Sequence, residues 1–224
     1  REDEYAYLSS LGYFSPVYLD FLRNYRYNPG EVSVWADDGR LKLEIQGPWY
    51  RTILWEVPLM AMMSELYFKK KEVIAEYPDQ MTKAIDKARK LRENNVKFSD
   101  FGTRRRFSKW VQDVFVGESR DWGQECFLGT SNVELAMKYN IKPIGTYAHE
   151  WVMFHGATMR GPVAADMNSL RQWGCVYGDK LGIALSDTYG SEVFFDNLNW
   201  HLVSRDPDDI WEWSGVRHDS GDPY

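Results

Sequence analysis

Two styles of hydrophobic and polar patterning divide this chain. Over the first 94 residues, helical and strand-like stretches follow one another without a repeat. Residues 15–25 predict a short amphipathic helix. Val32-Ser-Val-Trp35 and Leu41-Lys-Leu-Glu-Ile45 alternate at period two around Ala36-Asp-Asp-Gly39, which predicts a hairpin. Gly47-Pro48 ends its second strand. Residues 53–68 are apolar around most of a helix circumference, with Pro58 in the first turn. Met60, Met62 and Met63 are expected there as core filling. Lys69-Lys70-Lys71 reads as a solvated helix end, and residues 78–93 as a charged, amphipathic surface helix.

After residue 95 short apolar strands alternate with helical patterns, and each strand runs into small or polar residues. Phe98-Ser-Asp-Phe101 leads into Gly102-Thr-Arg104, and Phe127-Leu128 into Gly129-Thr-Ser-Asn132. Pro143-Ile144 leads into Gly145-Thr-Tyr-Ala-His149, Ile183-Ala-Leu185 into Ser186-Asp-Thr188, and Gly215-Val216 into Arg217-His-Asp-Ser-Gly-Asp-Pro223. This is a βα pattern, and its polar residues gather at the carboxyl ends of the strands. Those ends share one face in a βα barrel and concentrate ligands in open doubly wound sheets. One site built from five loops is the expectation. Five steps are fewer than the eight of a closed barrel. The chain also starts at Arg1 rather than Met and stops just after a chemistry-bearing motif, so a fragment with open strand edges is expected.

Composition narrows the classes. A net charge of −6 disfavours general binding to nucleic acid or to a membrane surface, so any anion site must be local. No apolar run of spanning length and no signal peptide occur. Cys126 and Cys175 make neither a disulfide framework nor a zinc pattern and are expected as buried thiols in a reducing compartment. A cytoplasmic enzyme follows as the expectation. Only four histidines are present, with no His-x-His at a strand end, which argues against a metal-assisted hydrolase.

Chemically, the loops offer guanidinium groups, hydroxyls, an amide, an imidazole and carboxylates. Arg104, Arg105 and Arg106 fall in a strand-to-helix turn, where guanidinium forks and free backbone N–H groups suit carboxylate or phosphate oxygens. Asp219 and Asp222 are oxygen donors fit for a hard cation or for sugar hydroxyls, although Asp-Ser-Gly-Asp is also ordinary turn chemistry. Arg217, two residues before Asp219, shares its face if the stretch is extended. His149 is the candidate nucleophile or proton carrier, with Asp187 as an orienting acceptor. His155, His201 and His218 read as structural.

Asp100-Phe-Gly-Thr-Arg-Arg-Arg-Phe-Ser108, Gly129-Thr-Ser-Asn132, Gly145-Thr-Tyr-Ala-His-Glu-Trp151, Ser186-Asp-Thr188 and Arg217-His-Asp-Ser-Gly-Asp-Pro223 together resemble the nicotinate phosphoribosyltransferase family. Gly47-Pro48-Trp49 and Ile53-Leu-Trp-Glu-Val-Pro58 are similar to its amino-terminal region. The resemblance implies an α/β fold (α+β overall): an irregular βα barrel, incomplete in this chain, with a smaller amino-terminal α+β domain. Residues 1–94 would be that domain with connecting helices, and residues 95–224 the part of the barrel carrying the site loops. It implies formation of nicotinate mononucleotide and pyrophosphate from nicotinate and 5-phosphoribosyl 1-pyrophosphate, coupled to hydrolysis of ATP, with Mg²⁺, in a homodimer with sites near the interface.

Carried over by position, the resemblance makes His149, Asp187, Arg217 and Asp219 catalytic. His149 matches the histidine that ATP phosphorylates, Asp187 the acid that holds it, and Arg217 and Asp219 the pair near the base and the ribose hydroxyls. Substrate binding falls to Phe101, Gly102, Thr103, Arg104, Arg105, Thr130, Ser131, Asn132, Ser220 and Asp222, with Phe101 against the pyridine ring. The metal ligands stay open. Ser131 stands where the related nicotinamide-using enzyme carries an acidic residue. A serine can donate to a carboxylate that an aspartate would repel, which favours nicotinate. The family's amino-terminal Asp-Thr-Asp-x-Tyr-Lys block and its carboxyl-terminal glycine-rich turns are absent, so residues 1–224 alone are expected to turn over little. A catalytically inactive fragment serving as a binding or structural domain is the alternative.

Overall fold

A computed structural model of the chain describes residues 2–159, 161–203 and 213–221. The chain folds as two compact units, Arg1–Ser9 with Pro16–Ile144, and Ser10–Ser15 with Gly145–Tyr224.

The first unit begins with helices α1 (Glu2–Ser10) and α2 (Pro16–Asn24), followed by strands β1 (Val32–Asp37) and β2 (Arg40–Ile45). The strands pair antiparallel, with Asp37 opposite Arg40. The hairpin therefore turns on two residues, Asp38 and Gly39, both at positive φ (48° and 69°). That is the primed turn whose twist matches the strands, and Asp-Gly is a pair that tolerates it. Glu31, buried just before β1, accepts from the Trp55 indole at 2.8 Å and pairs with Arg51. These bonds tie the hairpin to the helical run α3 (Trp49–Thr52) and α4 (Glu56–Lys70). The Arg51 hydrogen bond, then that of Trp55, outweighs desolvation and holds the Glu31 carboxyl below its ordinary range.

In α4 the expectation of a methionine core fails. Met60 and Met62 are about half exposed (48% and 51%), and the buried residue of the helix is Ala61. An apolar surface running round the whole helix leaves the buried face unspecified. Helix α5 (Tyr77–Glu93) packs instead on a small-residue face, Ala84 and Ala88, against α6 (Lys109–Gly123). Between them lies β3 (Phe98–Asp100), parallel to β4 (Phe127–Thr130). A register shift after Phe98 puts Asp100 level with Thr130, and Thr130 bridges in parallel to Pro143 beyond α7 (Val133–Tyr139). Val116, Phe127 and Leu135 form the core here, with Phe98, Phe115, Tyr139 and Ile141 against them.

The second unit runs α8 (His149–Thr158), α9 (Pro162–Tyr177), β5 (Ile183–Leu185), α10 (Ser191–Val203) and β6 (Gly215–Arg217). β5 and β6 are parallel, with Leu185 opposite Arg217. Tyr147, Val152, Leu170, Leu185 and Phe194 are its buried core, flanked by Trp151, Trp173 and Trp213. Cys126 is buried as expected, whereas Cys175, on α9, is exposed because it lies on the face turned from that core. Among the described residues no helix is long and apolar enough to cross a membrane.

Candidate active site

Chemistry-bearing residues gather at the carboxyl ends of the parallel strands in each unit. In the first, the organising group is Asp100, the last residue of β3 and 6% exposed. Its Oδ1 accepts from the Gly102 amide at 2.9 Å, and its Oδ2 from Gln112 Nε2 at 2.9 Å and the Thr130 hydroxyl at 2.7 Å. Three donors satisfy a carboxylate that burial would otherwise penalise. The Ser131 amide donates to the Asp100 carbonyl at 2.8 Å, which joins the β3 turn to the β4 turn.

The predicted strand-to-helix turn is a short 3-10 segment, Thr103–Arg105, and Ser108 caps α6 by accepting from the Val111 amide. Gly102 has an ordinary helical φ of −81°. Its lack of a side chain serves close approach instead, because a Cβ would meet Asp100 Oδ1 at 3.0 Å. The Thr103 hydroxyl accepts from Gln112 at 2.8 Å and from Asn132 at 3.3 Å. Asn132 also caps α7 through the Leu135 amide at 3.2 Å. Thr130 is fully buried. Thr103, Thr130 and Asn132 therefore shape the loops. Phe101 is 43% exposed, and Arg104 pairs with Glu56 of α4. Arg106 reaches Gln112 Oε1 at 3.4 Å and lies 3.9 Å from Glu65. At Gly129, φ is +139° and a Cβ would sit 2.1 Å from the Lys142 carbonyl oxygen, so this strand end admits only glycine.

In the second unit His149 is the first residue of α8. Its Nδ1 lies 3.0 Å from the Thr188 hydroxyl. Its Nε2 faces two carboxylates, Asp219 Oδ2 at 3.5 Å and Asp187 Oδ1 at 3.9 Å. Asp187 Oδ2 accepts from the Ser220 amide at 2.8 Å and hydroxyl at 2.6 Å. Desolvation pushes the Asp187 carboxyl up, but the Ser220 bonds and the Asp219 amide outweigh it and hold it below its ordinary value. The other oxygen of Asp219 pairs with Arg217, whose Nη1 donates to the Thr146 hydroxyl at 2.8 Å. The β5–β6 register sets this geometry by putting Arg217 beside Leu185, directly before the Ser186-Asp-Thr188 turn.

The structure thus brings His149, Asp187, Arg217, Asp219 and Ser220 together; Asp222 lies outside the described residues. Sequence reasoning gave no role to Thr188, Thr146, Gln112, Glu56 or the Asp100 side chain. Four of these, Asp100, Thr188, Thr146 and Glu56, lie inside motifs it singled out. Among the described residues no three His, Cys, Asp or Glu side chains converge as metal ligands. One oxygen of each aspartate is taken, Asp187 Oδ2 by Ser220 and Asp219 Oδ1 by Arg217, and the other two oxygens face His149 Nε2.

A model of the nicotinate phosphoribosyltransferase (NAPRTase) family matches residues 96–224, and a model of the family's N-terminal domain matches residues 1–64. The chain is similar to the nicotinate phosphoribosyltransferase of Desulforapulum autotrophicum, at 45% identity over 99% of this chain and 55% of that protein. It is also similar to that of Chromohalobacter salexigens, at 46% identity over 94% of this chain and 52% of that protein. The crystal structure of nicotinate phosphoribosyltransferase from Porphyromonas gingivalis superposes with a TM-score of 0.89 at 37% identity, covering all of this chain and 56% of that one. The Vibrio cholerae structure gives 0.86 at 31%, covering all of this chain and 53% of that one. The chain spans about half the length of the curated relatives it matches.

Proposed function

The chain belongs to the nicotinate phosphoribosyltransferase family, and from that premise we propose that it carries the chemistry of an ATP-coupled nicotinate phosphoribosyltransferase. The reaction would join nicotinate to 5-phosphoribosyl 1-pyrophosphate, releasing nicotinate mononucleotide and pyrophosphate, the first step of NAD salvage from nicotinate. The observation that carries this reading is His149, held between the Thr188 hydroxyl on one ring nitrogen and two carboxylates on the other.

Carboxylates at Nε2 favour a proton there. Nδ1 then keeps its lone pair and accepts from the Thr188 hydroxyl, a neutral partner that a phosphoryl group can displace. Attack of Nδ1 on the terminal phosphorus of ATP would form an N–P bond and release ADP, while the Nε2–H, facing Asp219 and Asp187, balances the positive charge that develops on the ring. The first cluster would supply the base site. Phe101 offers an exposed ring face, Arg104 and Arg105 offer cations to the carboxylate and phosphate, and Ser131 a hydroxyl suited to nicotinate rather than nicotinamide. Gly102, Thr103, Thr130 and Asn132 would contribute by holding those loops in shape. Arg217 and Asp219 would meet the base and the ribose hydroxyls, with Ser220 and Asp222 beside them. Mg²⁺ would enter with the pyrophosphate of the substrate, since that ion usually keeps substrate phosphates and waters as ligands.

The barrel, the division at residues 94 and 95, a cytoplasmic location and a homodimer belong to the same proposal. The family models on residues 1–64 and 96–224 support the division of the chain. The test is nucleotide formation by the purified intact polypeptide, rather than by residues 1–224 alone, given nicotinate, phosphoribosyl pyrophosphate and Mg²⁺, with and without ATP, beside His149→Ala. Faster synthesis with ATP, with that gain lost in the variant, is expected. Absence of nicotinate mononucleotide from folded protein overturns the reading.

A further inference from the structure

A concavity of about 490 Å³ opens in the first unit where α6 meets the start of α5 and the end of α7. That volume lies within the roughly 300–1,000 Å³ of ordinary small-molecule pockets. Trp110, Val114, Gly117 and Glu118 line it from one face of α6, at helical spacing. Tyr77 joins them from α5, and Tyr139 from α7. The transferase reading gives none of these residues a role.

The packing of Tyr139 on α6 is specified. Its hydroxyl donates to Asp113 Oδ1 at 2.8 Å, and a Cβ on Gly117 would come within 2.9 Å of that hydroxyl oxygen. Gly117 therefore lets the ring lie close to the helix. Tyr77 and Trp110 are both exposed, and their ring centres lie 6.2 Å apart at 31° from parallel. Aromatic ring faces attract cations. Tyr139 already has two near its face, Lys138 Nζ at 5.0 Å and the Arg120 guanidinium at 5.1 Å from the ring centre. Tyr77 and Trp110 have no such partner among the described residues.

The charges point the same way. Asp113 is neutralised by Lys138, whose Nζ lies 2.7 Å from Oδ1. Glu118, half-buried, accepts from the Trp122 indole at 3.2 Å and has no ion pair among the described residues. Arg120, two residues on, pairs with Asp121 at 2.7 Å. The concavity thus holds one carboxylate in excess beside two open ring faces. An anionic ligand would be repelled there, and a cation with an apolar body would satisfy both features.

We propose that this concavity is a binding site for a small organic cation of the substituted-ammonium class. Glu118 supplies the opposite charge, and Tyr77 and Trp110 supply the faces on which the alkyl groups rest. A quaternary nitrogen suits such a wall, because its charge is spread over methyl groups and needs no hydrogen-bond acceptor.

The experiment is calorimetric titration of the purified intact polypeptide with choline, at constant ionic strength. The comparison ligand is 3,3-dimethylbutan-1-ol, which has the same shape without the charge. The variants are Glu118→Gln, which keeps an acceptor for Trp122, Trp110→Leu, and Glu125→Gln. Glu125 is an exposed acid that does not line the concavity, so it controls for the overall charge of −6. Circular dichroism checks that each is folded. Saturable binding of choline is expected, about tenfold or more tighter than the neutral alcohol. Glu118→Gln and Trp110→Leu should each weaken it about fivefold or more, and Glu125→Gln by less than about twofold. Equal affinity for the neutral alcohol, equal weakening in Glu125→Gln, or no saturable binding of choline overturns the proposal. None of these results depends on nucleotide synthesis, so the proposal and the transferase reading fail separately.

Discussion

Replacing Asp166 by Asn should make this protein less sensitive to pH between 4 and 7. Asp166 on α9 is 2% exposed, and its partner is Asn197 on α10, 3.4 Å from Oδ2. Burial pushes the carboxyl up from an ordinary 3.8 to about 6, with the Asn197 amide opposing only part of the shift. A folded-state value above the unfolded one means that the native state holds a proton the unfolded chain has released. The group therefore favours folding fully below about pH 4, and that contribution disappears as pH rises through about 6. A shift of about two units corresponds to about 3 kcal/mol. Asp166→Asn has no proton to lose. The stability gap between parent and variant should move by about 3 kcal/mol in the variant's favour from pH 4 to pH 7, whatever its offset. Nearby His155 acts in the opposite sense, since burial lowers its value and costs stability as pH falls below about 6.5. It is common to both proteins and cancels. Because the chain folds as two units, the readout should belong to the second: urea-dependent protection of α9 amides at matched pH. A gap that stays constant from pH 4 to 7 would refute the reasoning, since the buried carboxyl would then ionise as in water.

Other positions give sharper or smaller effects. Gly129→Ala puts a Cβ 2.1 Å from the Lys142 carbonyl at φ +139° and should cost about 3 kcal/mol or more, seen as lost soluble yield or a lowered urea midpoint. Gln112→Leu removes a donor from buried Asp100 and should cost about 1–3 kcal/mol; an unchanged midpoint would show that water replaces the amide. Asp187→Asn should cost about 1–2 kcal/mol at neutral pH, shrinking as pH falls below about 4, because the parent carboxyl is held low by Ser220 and loses its advantage on protonation. Urea titrations at pH 7 and pH 3 check the sign.

Much of the fold was legible locally. The Asp-Gly turn announced the hairpin, because few residue pairs adopt two consecutive positive φ angles. Small and polar residues after short apolar runs marked the strand ends where both clusters lie. The partners were less visible. Asp187 was expected to orient His149, yet Asp219 lies closer to the ring and Thr188 takes the other nitrogen. Those distances depend on the β5–β6 register, which joins segments about thirty residues apart. Glu56 meets Arg104 across 48 positions, a pairing that no periodicity encodes. Gln112 lies outside every motif of the sequence, and only its approach to Asp100 and Thr103 in the fold makes it a shared donor. The methionines of α4 failed for the reverse reason. A helix apolar on all sides carries no information about which side will be covered.

The Asp100 knot also constrains how this sequence can drift. One carboxylate serves donors from residues 102, 112 and 130, and two of those side chains serve 103 and 132 in turn. A substitution at one position strands a polar group at another, so single steps away from this set are penalised while paired ones need not be. Variation here should be correlated, with residues 100, 112 and 130 changing as a group or not at all. Neighbouring surface positions such as Lys109 and Glu125 should vary independently of it.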